Sequence, residues 1–448
     1  MNLKTRLALI LAKATHFFLQ NILHRGGTSL PGRIALKISP DLLQQLNQNF
    51  TTVIVTGTNG KTLTTALCSK ILKNAGHNVI TNSSGSNMVQ GIANTLIMEM
   101  PKKPDSKLIA ILEVDEANVE AVSKALTPDY FVLTNIFRDQ MDRYGEIYTT
   151  YDKILAGIKL APNAKVIANG DSPIFQRNLT ENPKVYYGFN HLTEDQKLLA
   201  PNNTDGILSP TDNSVLRYRF ITFANLGAYY STTDGFKRPL LKYEITKINE
   251  LTPNFSKFEI DQKPFTIEIG GLYNIYNALA AYSLASEMDV SFDVIKETYE
   301  QNQQIFGRQE SISVDEKEIT IVLIKNPVGA NAVIDMMLTE KDPFSLIVLL
   351  NSNYADGIDT SWIWDADFEK LHLTKIEKIV SGGQRAQDIK VRLKMGGFEE
   401  QSTISEQSTV IEEIYQMPTK KVYIAATYTA MLQLREQLAK SGYLKGGF

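Results

Sequence analysis

A short stretch near residue 60 has the residue types of a site for nucleotide phosphates. After the β-branched run Val53–Val55, the chain continues with Gly57, Thr58, Asn59, Gly60, Lys61 and Thr62. Two glycines permit a tight turn after a strand, and we expect the N–H groups of this turn and of the following helix N-terminus to point at an anion. There a lysine neutralises the β- and γ-phosphates and a threonine hydroxyl ligates Mg²⁺. The usual pattern has glycine where this chain has Val55, so an ordinary strand–turn–helix is the alternative.

A second set of reactive side chains follows the apolar run at residues 108–112. Glu113, Asp115 and Glu116 come where this predicted strand ends. The carboxyl ends of parallel strands form the edge at which open α/β proteins bind ligands, and carboxylate oxygens suit Mg²⁺. We therefore expect Glu113 to bind Mg²⁺, with Asp115 or Glu116 assisting. A solvated acidic loop is the alternative.

Both sets need buried strands separated by helices to hold them. Apolar strand patterns alternate with helical ones along most of the chain, which predicts an α/β protein. In the C-terminal part we expect strands at residues 319–324, 346–350, 376–380 and 421–425. The predicted organisation is a helical segment and linker at 1–45, a central ATP-binding domain at 46–308 and a C-terminal α/β domain at 309–448.

Bulk composition narrows the class of protein. A chain of 448 residues is long enough for two or three domains. Its net charge of −3 argues against nucleic acid as a partner, because nucleic-acid binders usually carry a basic excess. The single cysteine, Cys68, excludes an intrachain disulfide and a four-cysteine metal site, and we expect it in the core.

The N-terminal residues 3–24 are leucine-rich with a helical period. Lys13, His16 and Gln20 interrupt the apolar run, which is too short and too broken to cross a bilayer. We expect a helix packed on the next domain and no transmembrane segment, with peripheral contact to a membrane as the alternative. The glycine-rich residues 26–33 predict a turn-rich linker.

Taken alone, the 57–62 stretch resembles the ATP loop of the Mur ligases and folylpolyglutamate synthases. These enzymes join a carboxylate to an amine through an acyl phosphate. Glu113 matches the Mg²⁺-binding glutamate of the Mur ligases. Where their pattern has a histidine near the second metal, this chain has Gln140, and the number of Mg²⁺ ions stays open.

Two further segments carry the same resemblance. Residues 270–281 match a Mur segment whose asparagines approach adenine, which implies that Asn274 and Asn277 contact the base. Asn274 has the alternative of capping the helix. Residues 306–310 resemble the Mur hinge whose arginine reaches the ATP phosphates, a role that falls here to Arg308.

The C-terminal motifs are more particular. Residues 325–331, 350–365, 381–386 and 426–431 together resemble MurT proteins, the Mur-ligase-like subunits of glutamine-hydrolysing lipid II isoglutaminyl synthase. This resemblance implies a Mur-ligase-like fold, with a P-loop ATPase-type central domain and a Rossmann-like C-terminal domain. It also implies the cofactors ATP and Mg²⁺. The implied reaction, in the cytoplasm at the inner face of the membrane, amidates the α-carboxyl of D-glutamate in the lipid II stem peptide to D-isoglutamine.

The resemblance implies a partner too, a GatD-type glutaminase that supplies ammonia in a heterodimer. The preferred lipid-linked precursor and the stoichiometry stay open. An autonomous amino-acid ligase of the Mur or folylpolyglutamate type is the alternative function, and a non-catalytic scaffold is another.

A glutaminase of this class needs a nucleophilic cysteine, a histidine base and a carboxylate that orients the histidine. Some of these glutaminases lack the carboxylate, and a partner could supply it across the interface. Asp356 follows a buried strand, so we expect it on an exposed turn, able to enter the partner's cleft. Asp359 competes for this role, and an Asp-Gly pair that only shapes a turn is the alternative.

The segment at about 190–240 has the spacing of a paired C-x-x-C ribbon without its cysteines. The corresponding positions are Ser209, Asp212, Ser231 and Asp234. Hydroxyls and carboxylates cannot reproduce a thiolate cage, so we expect a lost ribbon and no zinc site. Neighbouring aromatics are candidates for a small metal-free core: Tyr218, Phe220, Phe223, Tyr229, Tyr230 and Phe236. Coincidence is the alternative for so short a pattern.

Overall fold

The computed structural model describes residues 3–21, 29–82, 86–100, 107–138, 146–178, 180–190, 196–201, 205–301, 309–399, 402–404 and 409–444. Within these residues the larger sheet has nine strands in the order β11-β10-β9-β6-β5-β4-β1-β3-β2. Its strands are β1 Phe50–Thr56, β2 Val79–Thr81, β3 Leu108–Glu113, β4 Tyr130–Leu133, β5 Lys165–Asn169, β6 Lys184–Phe189, β9 Tyr243–Leu251, β10 Ser256–Ile260 and β11 Lys263–Ile267. In this spatial order, the neighbouring strands from β9 across to β2 pair in parallel. The β9–β10 and β10–β11 pairs are antiparallel.

Helices cover both faces of this sheet. They are α1 Leu3–Asn21, α2 Leu30–Ile38, α3 Leu42–Asn47, α4 Lys61–Asn74, α5 Val89–Glu99, α6 Val119–Ala125, α7 Ile147–Lys159, α8 Leu272–Glu287 and α9 Phe292–Glu300. Because side chains alternate along a strand, Val53 and Val55 of β1 enter a core shared with α4, α8 and α9. Ile54 enters the opposite core, which α5, α6, α7 and the N-terminal helices complete.

A second sheet, six-stranded within the described residues, has the order β12-β13-β17-β14-β15-β16. Its strands are β12 Glu310–Val314, β13 Lys317–Leu323, β14 Phe344–Leu349, β15 Ile376–Gly382, β16 Ser402–Thr403 and β17 Lys421–Ala426. The helices beside them are α10 Pro327–Met337, α11 Ala386–Met395, α12 Val410–Tyr415 and α13 Tyr428–Lys440. The four strands predicted here are therefore confirmed, with ends shifted by a few residues. The domain limits at 45/46 and 308/309 stay predictions.

A two-stranded hairpin is hydrogen-bonded to neither sheet within the described part of the chain. Its strand β7 Arg217–Phe223 pairs antiparallel with β8 Leu226–Tyr230. Tyr218 and Tyr229 are fully buried in its own core, and Phe236 packs against them. Phe220 packs instead into the core of the large sheet. The aromatic core predicted for this segment is thus present but smaller.

The predicted linker at 26–33 is partly wrong. The described part of it is helical from Leu30, because Pro31 suits the first turn of a helix. Gly32 is needed there, since a Cβ would lie 1.9 Å from the carbonyl oxygen of Gln90 in α5. Among the described helices, none is long and apolar enough to cross a membrane.

Candidate active site

Strand register brings the predicted site residues to one edge of the large sheet. Val55 of β1 pairs with Glu113 of β3, and Thr56 pairs with Leu133 of β4. The turn between β1 and α4 therefore lies between the ends of two neighbouring strands. Val55 is a fully buried strand residue, so the glycine of the usual pattern is not required at this position.

The turn itself is braced by the end of β4. The Thr58 N–H donates to the Asn135 carbonyl at 2.8 Å, and the Asn59 N–H donates to Asn135 Oδ1 at 2.9 Å. We expected the N–H groups of the turn to point at a phosphate, and for these two the expectation is wrong in this structure. An anion is then directed to the first turn of α4, which begins at Lys61.

Lys61 lies in a buried cluster of opposite charge. Its Nζ donates to Glu116 Oε2 at 2.9 Å and to the Gly57 carbonyl at 2.5 Å. Burial alone would lower the pKa of Lys61, but the carboxylates of Glu116, Asp115 and Glu113 raise it above its ordinary value. The ammonium is therefore held charged at the place where an anionic ligand would compete with Glu116 for it.

The second sheet also contributes to this cluster. Lys325 follows β13, and its positive charge, like that of Lys61, lowers the pKa of Glu116 against the effect of burial. The next residue, Asn326, donates through Nδ2 to Asn59 Oδ1 at 3.2 Å and caps α10 by accepting from the Gly329 N–H. Neither residue was among the individually predicted site residues. The Asn-Pro start of α10 was the available signal.

The side-chain oxygens of Thr62 and Glu113 lie together and could both ligate a metal ion. The Thr62 hydroxyl donates to Glu113 Oε1 at 3.2 Å. Asn82 holds the Glu113 backbone, accepting from its N–H and donating to its carbonyl, both at 2.8 Å. One hydroxyl and one carboxylate fit Mg²⁺, which usually completes its shell with waters and substrate phosphates.

The two predicted adenine-binding asparagines lie beside the phosphate turn. Asn277 accepts from the Thr64 hydroxyl at 3.4 Å, and Asn274 Nδ2 donates to the Gly270 carbonyl at 2.7 Å. The alternative that Asn274 caps α8 is wrong, because Gly271 holds that position. A cavity between the turn, α8 and α10 is lined by Asn59, Gly60, Asn274, Asn277, Val328 and Ala332. Contact with a base stays a prediction.

Gly60 is required by two independent constraints, which gives a testable expectation. Its φ is +87°, and a Cβ would lie 2.0 Å from Asn277 Oδ1. Gly76 has φ +86° with no heavy atom within 4 Å of a Cβ, so it is a matched control. Both changes to alanine should cost about 1–2 kcal/mol of folding free energy. Only Gly60→Ala should also displace Asn277 and weaken ATP binding, by about tenfold or more.

Thermal melts and nucleotide titrations of the two variants measure this difference. Similar melts are expected for both variants, and an unchanged ATP affinity in Gly60→Ala would contradict the packing argument.

Comparison with known proteins agrees with this geometry. Residues 55–285 match the Mur ligase middle domain, and residues 323–431 match the MurT ligase C-terminal domain. The lipid II isoglutaminyl synthase (glutamine-hydrolyzing) subunit MurT of Streptococcus pneumoniae is 50% identical over 98% of this chain and 98% of its own length. The chain belongs to the MurT family.

Solved structures with the same fold are more distant in sequence. A pseudomurein peptide ligase type C from Methanothermus fervidus matches with a TM-score of 0.65 and 20% identity, covering 90% of this chain and 80% of that one. The MurF ligase from Thermotoga maritima in complex with ADP gives 0.61 and 13%, covering 91% and 85%. The predicted Mur-ligase-like α/β fold of this MurT family member is thereby confirmed.

Two predicted site residues lie outside the described part of the chain. These are Arg308, expected at the ATP phosphates, and Gln140, which replaces the Mur histidine. Their roles stay predictions.

Asp356 departs from the expectation for this family. The predicted exposed turn is wrong, because the residue is only 3% exposed. Its Oδ1 accepts from the Thr429 N–H at 2.6 Å, and Oδ2 accepts from the Thr429 hydroxyl at 2.6 Å and the Asn353 N–H at 3.0 Å. A carboxylate satisfies first-turn donors of α13 well, which explains the burial. Asp359 is exposed, and its carboxylate accepts from Ser361.

The four ribbon positions converge on one hydrogen-bonded cluster. The Ser209 hydroxyl donates to Asp234, the Thr233 hydroxyl donates to Asp212, and Ser231 and Ser214 hydroxyls lie 3.2 Å apart. The hydrogen bond from Ser209, with those from Phe236 N–H and Ser231, lowers the pKa of Asp234 to about 2.

The absence of zinc from these four positions stays a prediction. Elemental analysis of the purified protein should find no stoichiometric zinc, and one zinc per chain would contradict it.

Proposed function

We propose that this chain is the synthase subunit of a glutamine-hydrolysing lipid II isoglutaminyl synthase, an ATP-dependent carbon–nitrogen ligase. The observation that carries the proposal is the joint position of Lys61, Thr62 and Glu113 at the carboxyl edge of the parallel sheet, in a chain of the MurT family. The substrate is the α-carboxyl of D-glutamate in the lipid II stem, and the product is D-isoglutamine.

The reaction has two chemical steps. A carboxylate oxygen of D-glutamate attacks the γ-phosphorus of ATP, the bond to the β–γ bridging oxygen breaks, and ADP leaves. Ammonia then attacks the acyl carbon, loses a proton, and inorganic phosphate departs with the former carboxylate oxygen. Charge develops on the phosphoryl oxygens in the first step, and preorganised cations stabilise it.

This chain's residues have distinct roles in that scheme. Lys61 exchanges its contact with Glu116 for the β- and γ-phosphates, and Lys325 remains to balance the buried Glu116. Thr62 and Glu113 would hold Mg²⁺, which neutralises phosphate charge when bound. Asn274 and Asn277 line the adenine cavity. Arg308 completes the phosphate contacts in the proposal.

The ammonia must come from another chain. The single cysteine, Cys68, is buried, and burial raises the pKa of its thiol far above the ordinary value. A glutaminase nucleophile needs an accessible thiolate, so this chain does not hydrolyse glutamine. We infer a GatD-type glutaminase partner that docks near residues 351–365, where Tyr354, Ile358 and Trp364 are exposed. Because the proposed reaction consumes ATP and a lipid-linked substrate, we expect it in the cytoplasm, at the inner face of the membrane.

One experiment separates this function from an autonomous amino-acid ligase. The full chain is supplied with ATP, Mg²⁺ and lipid II, and phosphate release is measured with ammonium or with free amino acids as the nucleophile. Release with ammonium, together with an amidated stem, is the expected result. Release only with an amino acid, which then appears in the product, would establish the alternative.

A further inference from the structure

The N-terminal helix α1 is packed with its small residues inward. Its buried positions are Thr5, Ala8 and Ala12, and the helix packs against α2 and α5. The large apolar side chains point the other way, and their exposed fractions are 84% for Leu3, 50% for Leu7, 64% for Ile10, 41% for Leu11, 64% for Phe17 and 48% for Phe18. Exposed apolar surface this continuous marks an interaction site rather than ordinary solvent-facing surface.

The arrangement of these residues around the helix axis is regular. At about 100° per residue, Leu3, Leu7, Ile10, Ala14 and Phe17 fall on one line opposite the buried face, flanked by Leu11 and Phe18. The cations lie at the two margins of this strip: Arg6 and Lys13 on one side and Lys4 on the other, all exposed. A strip of Leu, Ile and Phe bordered by cations is the pattern of a helix lying in a membrane interface.

Charge decides between a membrane and other occupants. Within α1 and α2 the cations also include exposed Arg33 and Lys37, and these two helices contain no Asp or Glu, although the whole chain has a net charge of −3. A second copy of α1 would bring cations against cations with no acidic partner, which disfavours a coiled coil. Anionic lipid headgroups would instead attract each of them.

We propose that the outward face of α1 docks on an anionic phospholipid surface, with its apolar side chains among the acyl chains and its cations at the headgroups. Membrane docking is a property beyond the proposed chemistry. The proposed function adds only that a lipid-linked substrate would bring the protein to such a surface. A contact near the start of α1 gives the direction of the helix. The Thr5 hydroxyl lies 3.0 Å from that of Ser39, just after α2, so α1 and α2 run antiparallel.

The Phe17 end of α1 therefore lies beside the start of α2. There Gly32 packs against Gln90, in the first turn of α5. That turn follows the loop in which the Asn87 carbonyl accepts from the Asp115 N–H, at the ligand edge of the large sheet. Docking of α1 would thus bring the bilayer near the active-site edge.

Vesicle sedimentation with the full chain tests the proposal without any catalytic step. Vesicles of phosphatidylglycerol and phosphatidylcholine in equal amounts are compared with phosphatidylcholine alone. The test variant is Leu7→Ser/Ile10→Ser/Phe17→Ser. Its matched control changes three exposed apolar residues elsewhere, Leu240→Ser/Leu373→Ser/Met395→Ser. A third variant, Lys4→Gln/Arg6→Gln/Lys13→Gln, removes the margin charges.

The wild type and the control should bind the phosphatidylglycerol vesicles equally. The serine variant should bind about tenfold or more weakly, and the glutamine variant should lose about tenfold or more on anionic vesicles only. Wild-type chain that does not sediment with them, or a serine variant that binds as well as wild type, overturns the proposal. Two other results would also overturn it. One is a wild-type dimer that dissociates in the serine variant while the wild type does not bind vesicles. The other is a serine variant whose only defect is loss of a co-purified glutaminase. Amidation of detergent-dispersed lipid II should survive in the serine variant, so failure of docking and failure of the proposed function give different results.

Discussion

Lys61→Ala is expected to abolish lipid II amidation, with a loss of about a thousandfold or more, because the cation that would hold the β- and γ-phosphates is gone. The same change leaves Glu116 buried without its 2.9 Å partner. Lys325 balances only part of that charge, and removing one partner of a buried ion pair costs about 3 kcal/mol or more, so the single variant should also melt at a lower temperature. Activity alone would then confuse a folding defect with a chemical one.

A second substitution separates the two effects. In Lys61→Ala/Glu116→Gln the uncompensated charge is gone, so the melting temperature should recover much of its loss while amidation stays absent. Lys73→Ala, on an exposed turn of the same helix, is the matched control and should keep full activity. Amidation is followed by phosphate release and product mass. Normal turnover in either Lys61 variant would contradict the proposal that Lys61 binds the ATP phosphates.

Asp356→Asn is expected to abolish glutamine-dependent amidation while amidation with added ammonium largely remains. This follows if Asp356 supplies the carboxylate that orients the partner's histidine. Because Asp356 is buried against Thr429, the loop must open for the carboxylate to reach a partner. The asparagine also places an amide NH₂ against the Asn353 N–H and the Thr429 hydroxyl, which should cost about 1–3 kcal/mol of stability.

The exposed competitor Asp359 makes the matched comparison. Asp359→Asn disturbs only acceptors for Ser361 and should leave both glutamine- and ammonium-dependent activity unchanged if Asp356 has the role. The reverse outcome, in which only Asp359→Asn loses glutamine hydrolysis by the assembled complex, would move the assignment to Asp359. Unchanged hydrolysis in both variants would refute the shared-triad idea. Co-purification with the glutaminase shows whether each complex assembles.

Features set by local sequence were predictable. The β-branched run at 53–56, the glycine turn and the helix after Lys61 follow from propensity and turn chemistry, and β1 and α4 have nearly the expected limits. Glu113 could be placed because parallel strands end at one edge of a sheet. Cys68 lies in the core as its residue type suggests.

Features set by distant partners were not predictable. The orientation of the Thr58 and Asn59 N–H groups depends on Asn135, far along the chain, and the burial of Asp356 depends on Thr429. Lys325 acts on Glu116 through its charge, and Asn326 bonds to Asn59, so the place of both residues in the site depends on how the two sheets pack together. A local pattern carries no information about such pairings.

For α1, the sequence predicted the helix but not which of its faces is exposed. Its helical period predicted a helix packed on the next domain, and that is confirmed. The usual assumption that large apolar residues face inward fails here, because the buried residues of this helix are two alanines and a threonine. Only the packed structure distinguishes which face of such a helix is free.

One measurement tests the central claim most directly. The chain in complex with its glutaminase is given lipid II, ATP, Mg²⁺ and glutamine with heavy nitrogen in its side-chain amide, and the product stem is fragmented in a mass spectrometer. The heavy nitrogen should appear as an amide on the α-carboxyl of D-glutamate, with one ATP converted to ADP and phosphate per amide formed. Heavy nitrogen at any other position, or amidation that continues without ATP, would contradict the account.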